Sequence, residues 1–188
     1  MALTPSDPVP ATRPATRLRP HRPGDLGWIV GAHGRLYHQE FGWHIGFEAL
    51  VARIAADFIE RFDATREACW IAERLDNPDQ PQPVGSVVLV QARNDDDGTV
   101  LPGVAQLRLL LLTPEARGLG LGRQLVAACT DFARQAGYQR LRLWTQSHLL
   151  AARHLYAQAG YRCLSSEPHH SFGHDMVAEI WELELDAP

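Results

Sequence analysis

Apolar side chains recur with a helical period in four stretches of this sequence. The clearest spans residues 47–62, where leucine, valine, isoleucine and phenylalanine return every three or four positions. The same spacing predicts three further helices over residues 23–41, 121–136 and 151–159, the last two each followed by a glycine that ends the helix. The pattern therefore predicts four helices that each bury one face.

Runs of apolar or alternating residues predict the strands of a sheet. The predicted strands cover residues 16–20, 68–73, 84–92, 104–112, 140–144 and 176–185. Between 104 and 112 the apolar run is interrupted mainly by Gln106 and Arg108, so we expect this strand at the sheet centre. In the last strand Glu182 and Glu184 alternate with leucines and are predicted to face outward. The mixed order of strands and helices predicts an α/β (α+β) fold around a mixed central sheet.

Length and composition favour one globular unit behind a short leader. With 188 residues, 45% of them hydrophobic, the chain can bury one sizeable core and is short for two domains. Residues 1–15 carry four prolines and almost no large apolar side chain, which predicts a disordered leader. The remaining residues, 16–188, are expected to form a single domain.

The charge balance argues against several classes of partner. Acidic side chains outnumber basic ones by 22 to 18, so no overall attraction to nucleic acid or to an anionic membrane is expected. Arg17, Arg19 and Arg22 are interpreted as a solvated basic patch. No apolar run approaches the roughly 18 residues that span a bilayer. Three widely spaced cysteines favour neither disulfides nor a cysteine metal site, and the sequence predicts a soluble protein of the reducing cytoplasm.

Three histidines near the C-terminal end, His169, His170 and His174, raise the hypothesis of a metal site. Gly173 interrupts any helix that would align them, and no acid or cysteine completes the ligand set unless Asp175 joins. The favoured interpretation is a loop before the last strand, without a metal.

The segment RGLGLG, residues 117–122, stands between an apolar strand and an amphipathic helix. It lacks the Gly-Lys-Ser/Thr ending of a Walker loop, and Arg123 occupies the third glycine position of a dinucleotide-binding fingerprint. What fits is a strand, a loop containing Pro114, then Arg-x-x-Gly-x-Gly opening a helix. Glycines let backbone N–H groups approach an anion, and a helix N-terminus carries partial positive charge. A flexible turn is the alternative, but the context favours an anion site.

This segment and the later stretch AARHLYAQAGY, residues 151–161, together resemble the GNAT acetyltransferase superfamily. The first matches the family's Q/R-x-x-G-x-G/A signature, and the second resembles its A-x-x-L-Y-x-x-x-G-F/Y helix and strand. The likeness is clear over residues 105–163. Through YHQEFGW, LYAQAGY and WELEL it is closest to the acetyltransferase halves of bacterial MarR-type regulator fusions. The resemblance implies a sheet of about six or seven strands flanked by about four helices.

The resemblance also implies acetyl-CoA as co-substrate and no metal. The cofactor-binding residues that it implies are Leu110, Leu111, Leu112, Arg117, Gly118, Leu119, Gly120, Leu121, Gly122 and Arg123. The parallel strands at 107–112 and 140–144 would splay and free backbone groups for the pantetheine arm. A backbone N–H near Leu111 or Leu112 would stabilise the oxyanion that forms when an amine attacks the thioester. Many family members carry Asn where this chain has Leu149, so that contact is lost or replaced.

Catalytic roles follow from the same resemblance. Tyr156 matches the family tyrosine that protonates the departing thiolate, although its helix position alone favours core packing. Glu73, at the end of a predicted strand, is the expected general base acting through water, with Glu40, His38 and His44 as alternatives. For each of these four, an ordinary solvated side chain is the competing interpretation.

The predicted function is transfer of an acetyl group from acetyl-CoA to a primary amine by direct attack, without a covalent enzyme intermediate. The alternative is a non-catalytic acyl-CoA-binding sensor or regulatory module. The sequence does not identify the acceptor, a small-molecule amine or an amine of a peptide or protein, although a neutral or acidic groove would indicate cationic amines. The oligomeric state is open, a homodimer included.

Overall fold

The structure is a computed structural model that describes residues 14–77 and 79–185. The predicted disordered leader lies outside these residues except for Pro14 and Ala15, and the Ala15 carbonyl accepts a hydrogen bond from the Leu75 N–H. The elements, in chain order, are β1 (Thr16–Pro20), α1 (Asp25–Phe41), α2 (Gly46–Arg61), β2 (Ala68–Arg74), β3 (Gln82–Arg93), β4 (Val100–Leu112), a 3₁₀ turn (Pro114–Ala116), α3 (Leu121–Gln135), β5 (Arg140–Gln146), α4 (Leu150–Gln158), β6 (Arg162–Ser171) and β7 (His174–Glu184).

Within the described residues, seven strands form one sheet in the order β1-β2-β3-β4-β5-β7-β6. Neighbouring strands are antiparallel except for β4 and β5, which run parallel. Parallel neighbours need a long crossover connection, and α3 supplies it between these two strands. The prediction of a mixed sheet flanked by four helices is therefore confirmed for the described part of the chain.

Helices cover both faces of the sheet and form two large apolar cores, with a small third cluster of Ala32, Leu36 and Leu111. Leu125 of α3 and Leu141 of β5 belong to the first core. Phe58 of α2 and Ile71 of β2 belong to the second, which α1 and α2 cover. Successive side chains of β2 serve both cores, since Ala72 joins the first and Ile71 the second. None of the helices in the described residues is long and apolar enough to cross a lipid bilayer.

The parallel pair β4 and β5 is hydrogen-bonded over a short stretch only. Residues 104–107 pair with residues 140–143, and β4 then continues to Leu112 beyond the last of these pairs. A bulge at Leu109, whose φ is 51°, shifts the register of β4 against β3, and the Ser86 hydroxyl donates to the Leu109 carbonyl at 3.0 Å. The two strands therefore diverge toward their carboxyl ends and leave a gap in the sheet.

The prediction of a loop around His169 and His170 is wrong. Both residues lie in strand β6, which forms a hairpin with β7. Phe172 and Gly173, with φ of 55° and 87°, make its two-residue turn. β6 is an edge strand with most side chains exposed on both faces, so its sequence lacks the alternation that marks a half-buried strand.

Glu182, predicted to face outward, is buried. β7 lies inside the sheet, and Arg142 stands directly opposite Glu182 on β5. The Arg142 guanidinium binds the Glu182 carboxylate at 2.9 Å, and Arg140 lies at 3.7 Å. A cross-strand ion pair thus neutralises a carboxylate that alternation alone assigns to solvent.

Leu125 tests the first core because its side chain is fully buried. We expect Leu125→Ala to lower the free energy of unfolding by about 2–5 kcal/mol, since it removes buried methyl groups and leaves a cavity. Urea unfolding followed by circular dichroism measures the loss. The exposed neighbour Gln124→Ala should change stability by no more than about 0.5 kcal/mol. Similar losses in both variants would contradict this packing of α3.

Candidate active site

A cleft opens where the carboxyl ends of β4 and β5 diverge, the edge at which open α/β sheets bind ligands. Seven leucines supply much of its lining, and it is named here the leucine cleft: Leu36, Leu110, Leu111, Leu112, Leu149, Leu150 and Leu155. Its volume is about 390 Å³. Of the predicted cofactor-binding residues, five line this cleft: Leu110, Leu111, Leu112, Arg117 and Gly122.

A smaller cavity of about 110 Å³ adjoins the same gap on the side of α1 and α2. Its aromatic lining, from which we name it the aromatic cavity, comprises His33, Tyr37, Trp43, Phe47, Trp144 and Tyr156. Among the described residues that line it there is no carboxylate, and Arg108 contributes a guanidinium.

The two cavities meet at residues that they share. Tyr37, Leu110, Leu149 and Ala152 line both. Tyr37 comes from α1 on one face of the sheet and Ala152 from α4, so the junction lies in the gap between the strands. A molecule in the leucine cleft and a molecule in the aromatic cavity would therefore meet at Leu110.

Tyr156 lies one helical turn beyond the shared Ala152, on the wall of the aromatic cavity. Its side chain is buried, and its ring centroid is 5.8 Å from that of Tyr161. Burial, with a smaller contribution from the neighbouring Tyr37, raises the pKa of the Tyr156 phenol well above its ordinary value. The phenol therefore keeps its proton at neutral pH and can act as a proton donor.

The glycine segment forms the corner between β4 and α3. Gly118 and Gly120 have φ of 78° and 82°, a region that glycine adopts without strain. α3 begins at Leu121, and its first turn carries no acidic residue. The first N–H groups of a helix have no carbonyl partner within it, so this corner presents backbone donors to an anion.

Gly122 has a different role, because it is needed for close packing. A Cβ atom at this position would lie 3.2 Å from Leu155 Cδ2 and 3.4 Å from Leu112 Cδ1. The absence of a side chain lets α3 approach β4 and α4 beside the leucine cleft.

The other predicted cofactor-binding residues lie around the corner rather than in the cleft. Leu121 is fully buried in the first core, and Leu119 packs against that core. Arg123 is exposed and borders a shallow groove beside α4. Side chains at these three positions therefore point away from the leucine cleft, and their backbone N–H groups are what the corner offers to a ligand.

Arg117 joins the corner to α1 across the leucine cleft. Its Nη2 atom lies 2.5 Å from Glu40 Oε1. The pair is half-exposed, so solvent screens it and it stabilises the fold little. Glu40, an alternative in the prediction of the base, thus pairs with Arg117, and an anion at the corner can compete for the same guanidinium.

Glu73, the predicted base, is held by two arginines of β1. Its oxygens accept hydrogen bonds from Arg17 Nε and Arg19 Nε, each at 2.7 Å, and Arg19 also binds Asp25. Burial alone would raise the pKa of Glu73, but the two guanidinium groups outweigh it and hold the pKa below its ordinary value. Glu73 is not among the described residues that line either cavity, so its geometry gives the role of base no support.

The same contacts correct the interpretation as a solvated patch for Arg19, whereas Arg17 and Arg22 are exposed. Only 11% of the Arg19 side chain is exposed, and it forms ion pairs with Glu73 and Asp25. The strand β1 brings Arg19 beside β2, which the sequence pattern alone does not reveal.

His38 and His44, the remaining alternatives for the base, are exposed. His38 Nδ1 lies 3.0 Å from the Trp43 carbonyl, and His44 Nδ1 accepts a hydrogen bond from the Gly46 N–H at 2.9 Å. Neither histidine is among the described residues that line the two cavities.

The three histidines of the β6–β7 hairpin have separate partners. In chain order, the rings of His169, His170 and His174 contact the Gln146 amide oxygen, the Asp175 carboxylate and the Gly42 carbonyl. Residues 14–77 and 79–185 contain no group of three or more His, Cys, Asp or Glu side chains that could hold a metal ion.

Several residues of the aromatic cavity were not predicted as site residues. Burial lowers the pKa of His33 to about 4, so its ring is neutral, and its Nδ1–H donates to the Ile29 carbonyl at 2.9 Å. Burial raises the pKa of Tyr37 to about 12. Gln146 is buried in the same wall. The one sequence feature that could have indicated this cavity was Arg108, a charged residue within the apolar run of β4.

Comparison with known proteins assigns this site to a family. A sequence model of the acetyltransferase (GNAT) family matches residues 35–161, more than half of the chain. The chain belongs to this family. The match includes the glycine corner, both strands of the gap and Tyr156, and it identifies this GNAT chain as an acyltransferase.

Similar proteins agree with this assignment. An uncharacterized N-acetyltransferase of Schizosaccharomyces pombe is 25% identical over 71% of this chain and 84% of its own length. Mycothiol acetyltransferase of Sanguibacter keddieii is 28% identical over 83% of this chain, which covers 46% of that longer protein. YncA of Salmonella typhimurium, solved with its cofactor acetyl-CoA, has a TM-score of 0.68 at 17% identity and covers 92% of this chain and 95% of its own. That likeness confirms the GNAT fold.

The lowered pKa of Glu73 predicts a pH-dependent contribution to stability. A carboxyl whose pKa is lower in the folded state stabilises the fold above its ordinary pKa and loses that effect as the pH falls. We expect Glu73→Gln to lower the free energy of unfolding at pH 7 by about 1–3 kcal/mol, and the deficit to shrink at pH 3. Urea unfolding at both pH values measures this.

Glu60→Gln, an exposed position on α2, is the matched control and should leave stability unchanged at both pH values. A Glu73→Gln deficit of the same size at pH 3 and pH 7 would rule out the ionised carboxylate as its cause.

Proposed function

We propose that this GNAT chain transfers an acetyl group from acetyl-CoA to a primary amine held in the aromatic cavity. The observation that carries the proposal is the meeting of two cavities in the gap between β4 and β5, beside the protonated phenol of Tyr156. The leucine cleft ends at the glycine corner, where an anion can bind, and the aromatic cavity does not reach this corner. Each reactant thus has its own chamber.

The residues present fit acetyl-CoA. The corner at residues 118–123 would hold the pyrophosphate through backbone N–H groups and the positive end of the α3 dipole, with Arg117 adding a charge. The leucine cleft offers apolar walls along Leu110, Leu111 and Leu112 for the pantetheine arm. When bound, acetyl-CoA supplies an activated thioester.

The free edge of β4 would orient the thioester. Beyond residue 107 the β4 backbone is no longer paired with β5, so its N–H and C=O groups on that side can bond to the amides of the pantetheine arm. An N–H near Leu111 or Leu112 would donate to the thioester oxygen as negative charge develops on it. A donor fixed in the sheet needs no rearrangement during the reaction.

Tyr156 would act as general acid. As the amine nitrogen bonds to the thioester carbon and the C–S bond breaks, the phenol would give its proton to the departing sulfur. The proton that the nitrogen loses on becoming an amide would pass to water, and the phenolate would regain a proton from water. An amine of pKa about 10.4 is almost wholly protonated at pH 7. The apolar walls and the Arg108 charge disfavour that ammonium form, so the cavity would select the neutral amine that attacks.

The finer sequence predictions stay predictions. They are the kinship with MarR-type fusion acetyltransferases, a single domain over residues 16–188, a cytoplasmic location and a homodimer. The proposed reaction depends on none of them.

Gly120 tests the corner. Gly120→Ala places a Cβ atom on a residue with φ of 82°, which strains the turn and displaces the N–H groups that follow. We expect affinity for acetyl-CoA, measured by isothermal titration calorimetry, to fall about tenfold or more. Gly24→Ala is the control, because Gly24 precedes α1 with φ of 96° and is equally open. Equal affinities of the two variants for acetyl-CoA would show that the corner does not contribute to the binding site.

Tyr156→Phe tests the chemical step. Loss of a general acid should slow CoA release, followed with a thiol reagent and a panel of amines, by about 10²- to 10⁴-fold while acetyl-CoA affinity is kept. Because the Tyr156 pKa is raised, wild-type activity should not fall through this group below about pH 10. Tyr161→Phe, a neighbouring phenol outside both cavities, should change the rate less than threefold or so.

Full activity of Tyr156→Phe would exclude the phenol as the acid. Stabilisation by acetyl-CoA without CoA release for any amine would instead favour the alternative function, an acyl-CoA sensor.

A further inference from the structure

Arg108 carries a charge in the aromatic cavity that nothing in the described structure neutralises directly. It projects from β4 toward α2 and lines the aromatic cavity together with Ile54. Among residues 14–77 and 79–185 its guanidinium forms no hydrogen bond and no ion pair within 4.0 Å. Burial lowers the pKa of Arg108, and the negative charge of Asp95 offsets only part of this effect, so the charge is held at a cost in hydration.

The acidic side chains near Arg108 either interact with other groups or are exposed to solvent. Arg108 also borders a neighbouring pocket of about 100 Å³ that contains Asp57, Glu67 and Asp95. Glu67 accepts hydrogen bonds from two backbone N–H groups, and Asp57 lies 4.0 Å from Arg61. Asp95 is exposed. The guanidinium, which borders both this pocket and the aromatic cavity, thus has no hydrogen-bond acceptor among the described residues.

Gln146 adds a second group without a partner in the same cavity. Its Oε1 atom lies 3.0 Å from His169 Nε2, whose N–H donates to it, and His169 Nδ1 faces the Ser171 hydroxyl at 2.9 Å. Its Nε2 atom is buried and has no hydrogen-bond partner among the described residues. Buried amide donors are rarely left unpaired, so this one points to a ligand oxygen.

Arg108 and Gln146 occupy the same face of the sheet. Gln106 pairs with Arg142 in the parallel ladder, and side chains two residues apart share a face. Arg108 lies two residues after Gln106 and therefore on the same face as Gln106. Gln146 lies four residues after Arg142 and therefore on the same face as Arg142. Both donors stand where the strands diverge, beside the junction of the two cavities.

The rest of the cavity fits an apolar group rather than a second cation. Trp43, Phe47, Leu50, Val51 and Ile54 form its wall on the α2 side. No carboxylate lines it within the described chain, so a polyamine or other polycation would meet Arg108 unpaired. A neutral or acidic groove would have indicated cationic amines, and the Arg108 guanidinium means that this condition is not met.

We propose that the acceptor is a small amine that also carries a carboxylate, and that Arg108 and Gln146 bind this carboxylate while the apolar wall holds its side chain. An amino acid with an aliphatic side chain has this chemistry. The inference rests on the proposed acetyl transfer for the role of the amine, but the anion site itself can be measured without turnover.

Binding is tested with 4-methylpentanoate, which has the carboxylate and side chain of leucine but no amine. Trp43 and Trp144 line the cavity, so quenching of tryptophan fluorescence in the CoA-saturated protein reports occupancy. We expect the acid to bind at least about tenfold more tightly than 4-methylpentanamide, and Arg108→Gln to remove this difference.

Controls separate the site from general charge effects. Arg93→Gln removes a guanidinium that borders the neighbouring pocket but not the aromatic cavity, and it should bind the acid as the wild type does. Arg108→Lys keeps the charge and should retain part of the affinity. Gln146→Glu keeps the shape but replaces the donor with a carboxylate, and it should weaken binding of the acid about tenfold or more. Thermal unfolding confirms that each variant is folded.

Turnover is tested with leucine, leucinamide, isoamylamine and the aminophosphonate analogue of leucine. We expect kcat/KM for leucine to exceed that for isoamylamine by about 10- to 100-fold, and Arg108→Gln to lower this ratio at least about tenfold. An aminophosphonate preferred over leucine by more than about tenfold would assign the site to a phosphonate and overturn the carboxylate proposal.

The two proposals fail in different ways. Preference for isoamylamine or a polyamine, unchanged by Arg108→Gln, would overturn the carboxylate site and leave acetyl transfer standing. Binding of 4-methylpentanoate that depends on Arg108, without CoA release for any acceptor, would support the anion site and overturn the acetyl transfer. Equal binding of the acid and the amide by the wild type would overturn the carboxylate site directly.

Discussion

The short pairing between β4 and β5 is the constraint on which the site depends. The strands pair at residues 104–107 and 140–143 and then follow their outer neighbours. Ser86 of β3 binds the Leu109 carbonyl at the bulge, while β5 remains paired with β7 as far as Gln146. Because each strand is held from outside, the gap stays open, and the two cavities and Tyr156 meet in it.

An open sheet leaves polar groups unpaired, and here these groups gather around the cavities. The β4 edge, the first N–H groups of α3, Arg108 and Gln146 all lack a full set of partners within the described chain. The two apolar cores supply the stability that tolerates this arrangement. Local violations of good packing rules are typical of functional sites, because a ligand completes them.

Ion pairs determine which charged side chains remain unpaired near the site. Glu73 is bound by Arg19, Glu182 by Arg142, and Glu179 by Arg153 at 3.0 Å. These pairs hold neighbouring elements together away from the cavities and leave the buried acids with partners of their own. The aromatic cavity is consequently lined by a guanidinium and no carboxylate in the described structure, although the whole chain has a formal charge of −4. Net charge therefore says little about the polarity of one cavity.

The sequence by itself determined the four helices, most strands, the glycine corner and the family, because periodicity and short motifs are local properties of the backbone. Tertiary structure alone decided that Glu73 and Glu182 are ion-paired and that β6 is an edge strand. It also placed the Arg108 charge in a cavity. Arg17 and Glu73 are 56 positions apart, and Arg142 and Glu182 are 40 apart. Such contacts follow from strand order and register, which no local pattern encodes.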